Sequence, residues 1–323
     1  MSYDMNPIVT ATAADAVQAR SRIRPFIYQT PLLPSRVRGG EDLAFKAENF
    51  QITGSFKIRG AAAKMTAVDR DQALITASSG NHGIGAAQAA ASVGQRLTVV
   101  LPRSVSPGKL AKIRSFAVDV VLHGDEAGEA ERHAQELARD RGLVYVSPYN
   151  DRDIIAGQGT IALEILEQAE RIDNVFVSMG GGGLIGGIGS VLKAFSPWTR
   201  VIGVSAAASM TLAASMQAGR IVETDHFDTI ADGVAGGLDE DSITLPLAMA
   251  TIDEVVVCEE DAIVAEIASL AVNERQIVEG AAALAMAGYR QVAHRLAGQR
   301  SVVVLCGSNF AAERIMPLIW NEA

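Results

Sequence analysis

Cysteine is nearly missing from this chain of 323 residues: Cys258 and Cys306 are the two present. They stand far apart and form no Cys-x-x-Cys or metal-type spacing, so a disulfide framework is not expected. Aromatic residues are sparse, at 5%. Long apolar runs are lacking too, and none reaches the roughly 20 residues of a membrane span. Residues 1–12 have no apolar stretch behind a basic start, so a signal peptide is not expected. Positive charge is in deficit, with 28 Lys and Arg against 37 Asp and Glu and a formal net charge of −9. No basic stripe interleaved with aromatics appears, which argues against nucleic acid as a partner. What is left is a cytoplasmic globular enzyme or binding protein.

Glycine is plentiful, with 30 residues, and 49% of the chain is apolar. Alanine-rich helical stretches alternate with Val/Ile/Leu runs, the pattern of an α/β protein. The length allows one large or two medium domains. The spacing predicts a first helix over Thr12–Ile23 with Thr12 as N-cap, a strand over Asp42–Glu48 and a helix over Phe56–Met65. Strands are predicted at 73–77, 97–101, 118–122 and 143–146, with helices at 84–93, 109–116 and 126–140 between them. That alternation is a parallel, three-layer unit. Further on, a helix is predicted to open at Gly157–Thr160, with strands at 174–179, 201–204, 255–258 and 301–305. The remaining helices run toward Phe195 and over 210–218, 260–272 and 279–297, and 221–241 is mostly irregular. The order fits a two-domain enzyme whose smaller domain is inserted into the larger.

Three loops follow strand C-termini, where open α/β sheets bind ligands: Ser78-Ser79-Gly80-Asn81-His82-Gly83, Gly180–Gly187 and Cys306–Asn309. Four consecutive glycines between a strand and a helix can turn several main-chain N–H groups on one phosphate, with the helix dipole behind them. Without a ligand the same run is a tight turn. It holds a formal G-x-G-x-x-G at Gly181, Gly183 and Gly186. A dinucleotide site also wants an acid roughly 20 residues on, and Val201–Ala208 has none. A monophosphate ester therefore ranks above a dinucleotide. No lysine follows the run, and no Ser-His-Asp pattern is present.

Lys57, one of six lysines, lies between Gly54-Ser55-Phe56 and an alanine-rich stretch. Such a lysine is either a solvated cation or a covalent catalyst. The second role needs a shielded position or nearby positive charge, and Phe56, Ile58 and Arg59 are at hand. Lys109 and Lys112 fall on a polar helix face and read as solvated. His82 reads also as a helix-start histidine bonded to the main chain, and Ser78 and Ser79 as N-caps.

Taken in order, these segments resemble those of the fold-type II pyridoxal 5'-phosphate (PLP) enzymes, in the threonine/serine dehydratase and serine racemase family. Glu48-Asn49-Phe50-Gln51-Ile52-Thr53-Gly54-Ser55-Phe56-Lys57-Ile58-Arg59-Gly60-Ala61 is similar to the family's lysine motif. Ser78–Gly83 is similar to its asparagine loop, Gly180–Gly183 to its tetraglycine phosphate loop, and Ala156–Thr160 to a further family segment. The likeness covers nearly the whole chain. It implies a tryptophan synthase β-like α/β fold with two three-layer domains and open, mostly parallel sheets. The large PLP-binding domain would span 1–68 and 148–323, the small domain 69–147. Lys57 would hold PLP as a Schiff base and act as the catalytic base. Gly180, Gly181, Gly182, Gly183 and Leu184 would bind the phosphate through N–H groups. Asn81 would bond the ring hydroxyl, Phe56 would pack on the ring, and Cys306 would face the ring nitrogen. Ser78, Ser79, Asn81 and His82 would receive the substrate carboxylate, and Ser79 matches a racemase's second acid–base group. A small amino-acid substrate, a homodimer, and no nucleic-acid or membrane partner complete the expectation.

Three departures refine it. The family usually places serine or threonine opposite the ring nitrogen. A thiol such as that of Cys306 is a weak, uncharged partner and would leave the electron sink moderate, which suits β-elimination. Metal-binding members carry a glutamate after the strand at 201–204 and an acid a few residues on. Ser205 and Thr211 stand there, and hydroxyls replace carboxylates poorly around Mg²⁺ or Ca²⁺, so no metal is expected at that site. Ala235-Gly236-Gly237 follows Asp232-Gly233-Val234 where the racemase has serines, which alters the substrate side. After Cys306–Asn309 no room is expected for the regulatory domain of the biosynthetic threonine dehydratases. The resulting expectation is a PLP-dependent ammonia-lyase. It would convert a 3-hydroxy amino acid, of the threonine, serine or 3-hydroxyaspartate type, to a 2-oxo acid and ammonia by β-elimination. The rivals are a serine/aspartate-type racemase and, from another class, a non-catalytic nucleotide-binding α/β protein.

Overall fold

Ten strands sort into two open sheets in the computed structural model, which describes residues 6–37 and 42–320. The chain starts with helix α1 (Pro7–Ile23), strands β1 (Leu32–Pro34) and β2 (Leu43–Lys46), and helix α2 (Lys57–Ala67). Then come β3 (Leu74–Ala77), α3 (Asn81–Val93), β4 (Leu97–Leu101), α4 (Pro107–Arg114), β5 (Asp119–Leu122), α5 (Ala127–Arg141) and β6 (Val144–Tyr145). Helix α6 (Arg152–Gln168) leads to β7 (Asn174–Ser178), α7 (Gly183–Phe195), β8 (Arg200–Ala206), α8 (Thr211–Ala218) and α9 (Thr244–Thr251). The chain continues through β9 (Glu254–Cys258), α10 (Glu260–Ser269), α11 (Gly280–Val292), β10 (Ser301–Val304) and α12 (Ala312–Trp320).

One sheet has six strands in the order β1-β2-β10-β7-β8-β9, all parallel except β1 against β2. The other has four parallel strands in the order β5-β4-β3-β6, all drawn from Leu74 to Tyr145. The α/β class with mostly parallel sheets is thus as the sequence implied. Parallel sheets need both faces covered. Here one apolar core surrounds the six-stranded sheet, and two more flank the small one: α2 and α3 cover one face, α5 the other.

The structure corrects several boundaries. Helix α1 starts at Pro7, with Asn6 as its cap: Asn6 Oδ1 accepts from Ile8 N at 3.1 Å. Thr12 lies inside the helix and bonds back to Ile8 O. Helix α6 starts at Arg152, capped by Asp151, so Gly157 and Gly159 sit mid-helix rather than opening it. They are small because main chains meet there. A Cβ on Gly157 would lie 2.6 Å from Gly60 Cα of α2, and one on Gly159 would lie 3.0 Å from Gly187 O of α7. Helices α9 and α12 were not expected. Each contains a proline, Pro246 in the first turn of α9 and Pro317 inside α12. No helix among the described residues is long and apolar enough to cross a membrane. The expectation for residues 1–12 lies partly outside the described residues.

Candidate active site

The lysine segment is fastened to the end of β10. Leu305 N donates to Lys46 O, Asn49 N to Leu305 O, Phe56 N to Cys306 O, and Ser308 N to Gly54 O, at 2.8–3.1 Å. That lacing brings Lys57, at the first residue of α2, beside Cys306. Lys57 Nζ donates to Pro148 O at 2.7 Å and lies 5.3 Å from the centre of the Phe56 ring. Burial draws its pKa down to about 8, against the opposing pull of Cys306 and Glu279. A lysine so placed reaches its free-amine form far more readily than one in water.

Arg59 does not supply the neighbouring positive charge that the sequence suggested. Successive helical residues are about 100° apart, so residues two apart project to opposite sides. Arg59 points away into a fully buried charge cluster. Its guanidinium donates to Glu48 at 2.7 and 2.8 Å and to Glu164 at 2.6 and 2.8 Å. Lys46 Nζ donates to Glu164 at 2.6 Å and to Thr30 O at 2.7 Å. Burial works against the Arg59 charge, but the two carboxylates hold its pKa above the ordinary value.

The glycine run joins β7 to α7. Gly182 has φ +85°, a conformation open to glycine. A Cβ on Gly181 would come within 2.7 Å of the Tyr149 ring, and one on Gly180 within 3.0 Å of the Val234 main chain. Thr244 Oγ1 donates to Gly181 O at 2.7 Å and fixes the loop from the side. Asp239 N donates to the Tyr149 hydroxyl at 2.7 Å, which holds the ring under the loop. The N–H groups of Gly180, Gly181 and Gly182 make no hydrogen bond among the described residues. The first N–H groups of α7 have no intrahelical acceptor either, as at any helix start.

Phe56, Lys57, Asn81, Gly180, Gly181, Gly182, Gly183, Leu184 and Cys306 all line one cleft. Ser78 and Ser79 do not line it; they sit half-buried in the turn before α3. His82 is a correction. Its ring is buried against Thr76 Oγ1 at 2.9 Å and Val146 O at 3.0 Å, behind the first turn of α3. Burial, and then the Lys57 charge, push its pKa down to about 3. His82 can offer the cleft its main-chain N–H, not its imidazole. Helix α3 starts three residues earlier than expected, which puts Asn81 on the first turn.

Sequence reasoning missed Glu279, the residue before α11, which lines the cleft and is 3% exposed. Asn81 Nδ2 donates to its two oxygens at 2.8 and 3.0 Å, and Asn309 N donates at 3.0 Å. Burial raises its pKa to about 7 although those donors pull the other way. Its signal was an acid directly before Gly280-Ala281-Ala282-Ala283, a small-residue helix start like the other site loops. Lys112 is exposed but not purely solvated, since its Nζ reaches Asn309 Oδ1 at 3.1 Å. At the expected non-metal site, Ser205 is buried. Thr211 Oγ1 bonds Thr224 Oγ1 at 2.8 Å and Gly236 O at 3.1 Å. Among the described residues no group of three or more His, Cys, Asp or Glu could hold a metal ion.

The cleft fits PLP. The glycine cradle leaves N–H groups for a phosphate at one end, and the Lys57 amine stands for an aldehyde. Cys306, at 3% exposure with its thiol pKa raised by burial, is a neutral partner for a ring nitrogen. Residues 23–307 match the family described as pyridoxal-phosphate dependent enzymes. The chain is 37% identical to the L-threonine ammonia-lyase of Geobacter sulfurreducens over 313 residues, which is 94% of this chain and 76% of that one. Among solved structures, the processed threonine deaminase isoform 2 of Solanum lycopersicum superposes with a TM-score of 0.91 at 31% identity, covering 96% of this chain and 87% of its own. Maize serine racemase superposes with a TM-score of 0.88 at 28% identity, covering 97% and 98%. On the family match over residues 23–307 and the likeness to a threonine ammonia-lyase, the chain belongs to the fold-type II PLP-dependent enzymes, in the threonine/serine dehydratase family.

Proposed function

We propose that the chain is an ammonia-lyase for a 3-hydroxy amino acid, converting it to a 2-oxo acid and ammonia by loss of the β-hydroxyl as water. The observation that carries this reading is the Lys57 amine: it sits in the cleft with a lowered pKa beside a neutral thiol. Lys57 Nζ takes the α-proton, and the Pro148 carbonyl steers it. The N–H groups from Gly180 to Leu184 bind the phosphate. The start of α3 receives the substrate carboxylate through main-chain N–H groups. Ser78 and Ser79 stand at its rim. When bound, PLP supplies an electron sink for the pair left by the α-proton. Cys306 keeps that sink moderate, so departure of the β-hydroxyl drains the charge. The names of the relatives point to threonine as the first substrate to try.

The reading includes two further parts. Residues 69–147 form a small domain and 1–68 with 148–323 a large one, which the division of the strands between two sheets supports. The enzyme is a cytoplasmic homodimer, as the family resemblance implies. A panel of L-threonine, L-serine and 3-hydroxyaspartate with 2-oxo acid detection tests the activity. Turnover to the 2-oxo acid is expected. With L-serine, D-serine in excess over pyruvate would instead make the chain a racemase.

A further inference from the structure

A one-way chain of polar groups crosses the cleft wall. Lys112 Nζ donates to Asn309 Oδ1 at 3.1 Å, Asn309 Nδ2 to Asn81 Oδ1 at 2.8 Å, and Asn81 Nδ2 to Glu279. Asn309 Nδ2 also donates to Thr53 O at 2.7 Å. A lysine ammonium can only donate and a main-chain carbonyl can only accept, so both asparagine amides are held in one orientation. Every donor in the chain points toward Glu279, where Asn309 N adds another. Glu279 is a buried acceptor, and among the described residues no cation forms an ion pair with it. Oε1 is pressed so close to the main chain that a Cβ on Gly307 would lie 2.7 Å from it. A buried carboxylate held by neutral donors alone is costly, and such groups concentrate at reacting sites.

Asn81 lines the cleft beside Lys57. One of its amide hydrogens can serve both Glu279 oxygens, which leaves the other for a group in the cleft. We propose that Glu279 is a positioning residue for the cofactor's ring oxygen: its carboxylate, acting through Asn81, fixes a hydrogen-bond donor at that oxygen. The proposal rests on the placement of PLP in this cleft. If Glu279 takes up a proton, one of its oxygens becomes a donor, while its hydrogen-bond partners, Asn81 Nδ2 and Asn309 N, are donors too. The clamp on Asn81 then loosens. Burial brings that event to about pH 7. The charged and titratable groups facing Glu279 are Lys57, Asp232 and Cys306.

The test uses the PLP-loaded enzyme, its Glu279→Gln and Glu279→Asp variants, and the visible absorption of the bound cofactor against pH. The wild-type band should titrate with a midpoint near pH 7. Glu279→Gln should lose that titration and release PLP more readily. Its kcat should fall about tenfold to a hundredfold, the size of one charge-assisted hydrogen bond, with a smaller change in KM. Glu279→Asp keeps the charge and should keep a titration. A Glu279→Gln enzyme with the wild-type titration and kcat overturns the proposal. If that variant does not fold, a folded Glu279→Asp enzyme without any titration overturns it, and one that titrates supports it. A wild-type protein that gives no visible band with PLP would instead overturn the placement of the cofactor.

Discussion

Replacing Arg59 with methionine should destabilise the protein more than any change at its surface. Arg59 is fully buried and makes charge-assisted bonds to both Glu48 and Glu164. Removing it leaves Glu164 with Lys46 at 2.6 Å but leaves Glu48, among the described residues, with the Thr30 hydroxyl at 2.5 Å as its one side-chain hydrogen-bond partner. Stranding one partner of a buried ion pair costs about 3–5 kcal/mol. Whole domains are stable by only about 5–15 kcal/mol, so this is a large fraction. Urea unfolding followed by circular dichroism should show a lower midpoint with an unchanged slope. The cost belongs to the stranded charge, so adding Glu48→Gln to Arg59→Met should recover a good part of it rather than add to it. A loss under about 1 kcal/mol for Arg59→Met, or a double variant weaker than the single one, would refute the reasoning. Acid gives an independent check. Burial raises the Glu164 pKa, but Arg59 and Lys46 more than offset this and hold it below the ordinary 4.5. Its contribution is then present above that value and lost as pH falls through the lowered one.

Lys57→Ala should abolish both the visible PLP band and turnover; retention of both would sink the proposed role. In the wild-type apoprotein the rate of PLP uptake should climb as pH rises through about 8, where the Lys57 amine loses its proton; a flat profile across that range would contradict the assigned burial. Gly181→Ala would press a methyl into the Tyr149 ring, and equilibrium dialysis should show PLP binding weakened by about tenfold or more, the effect of overpacking by roughly 1–3 kcal/mol. Treatment with EDTA should leave turnover unchanged, since Ser205 and Thr211 offer only hydroxyls; strong inhibition would mean that a cation is held elsewhere.

The residues that were legible in the sequence carry their chemistry in short contiguous runs. Lys57 in its Gly-Ser-Phe setting, the glycine run and Cys306 at a strand end each needed only local context. Glu279 did not, because its meaning lies in contact with Asn81, 198 residues away. Tyr149 was invisible for a similar reason: its ring matters only because the glycine loop folds over it. Arg59 was noticed but given the wrong direction, since proximity along a helix says nothing until the 100° step is applied. His82 carries a chemically suggestive side chain, but its ring bonds Thr76 and the Val146 main chain, as the sequence's other reading of it, a histidine bonded to the main chain, allowed. Helices α9 and α12 each carry a proline, which reads as a breaker; the first turn of α9 accepts Pro246, whereas Pro317 sits inside α12.

The glycines where α6 crosses α2 and α7 make those helices touch through main chain rather than side chain. Helix α2 starts with Lys57 and α7 starts at the phosphate loop, so α6 acts as a fixed gauge between the two. Its length does not depend on any side chain that could be exchanged. Core substitutions can then accumulate around the site, and the substrate side of the cleft can be rebuilt, while the span from Lys57 Nζ to the phosphate cradle stays matched to one cofactor.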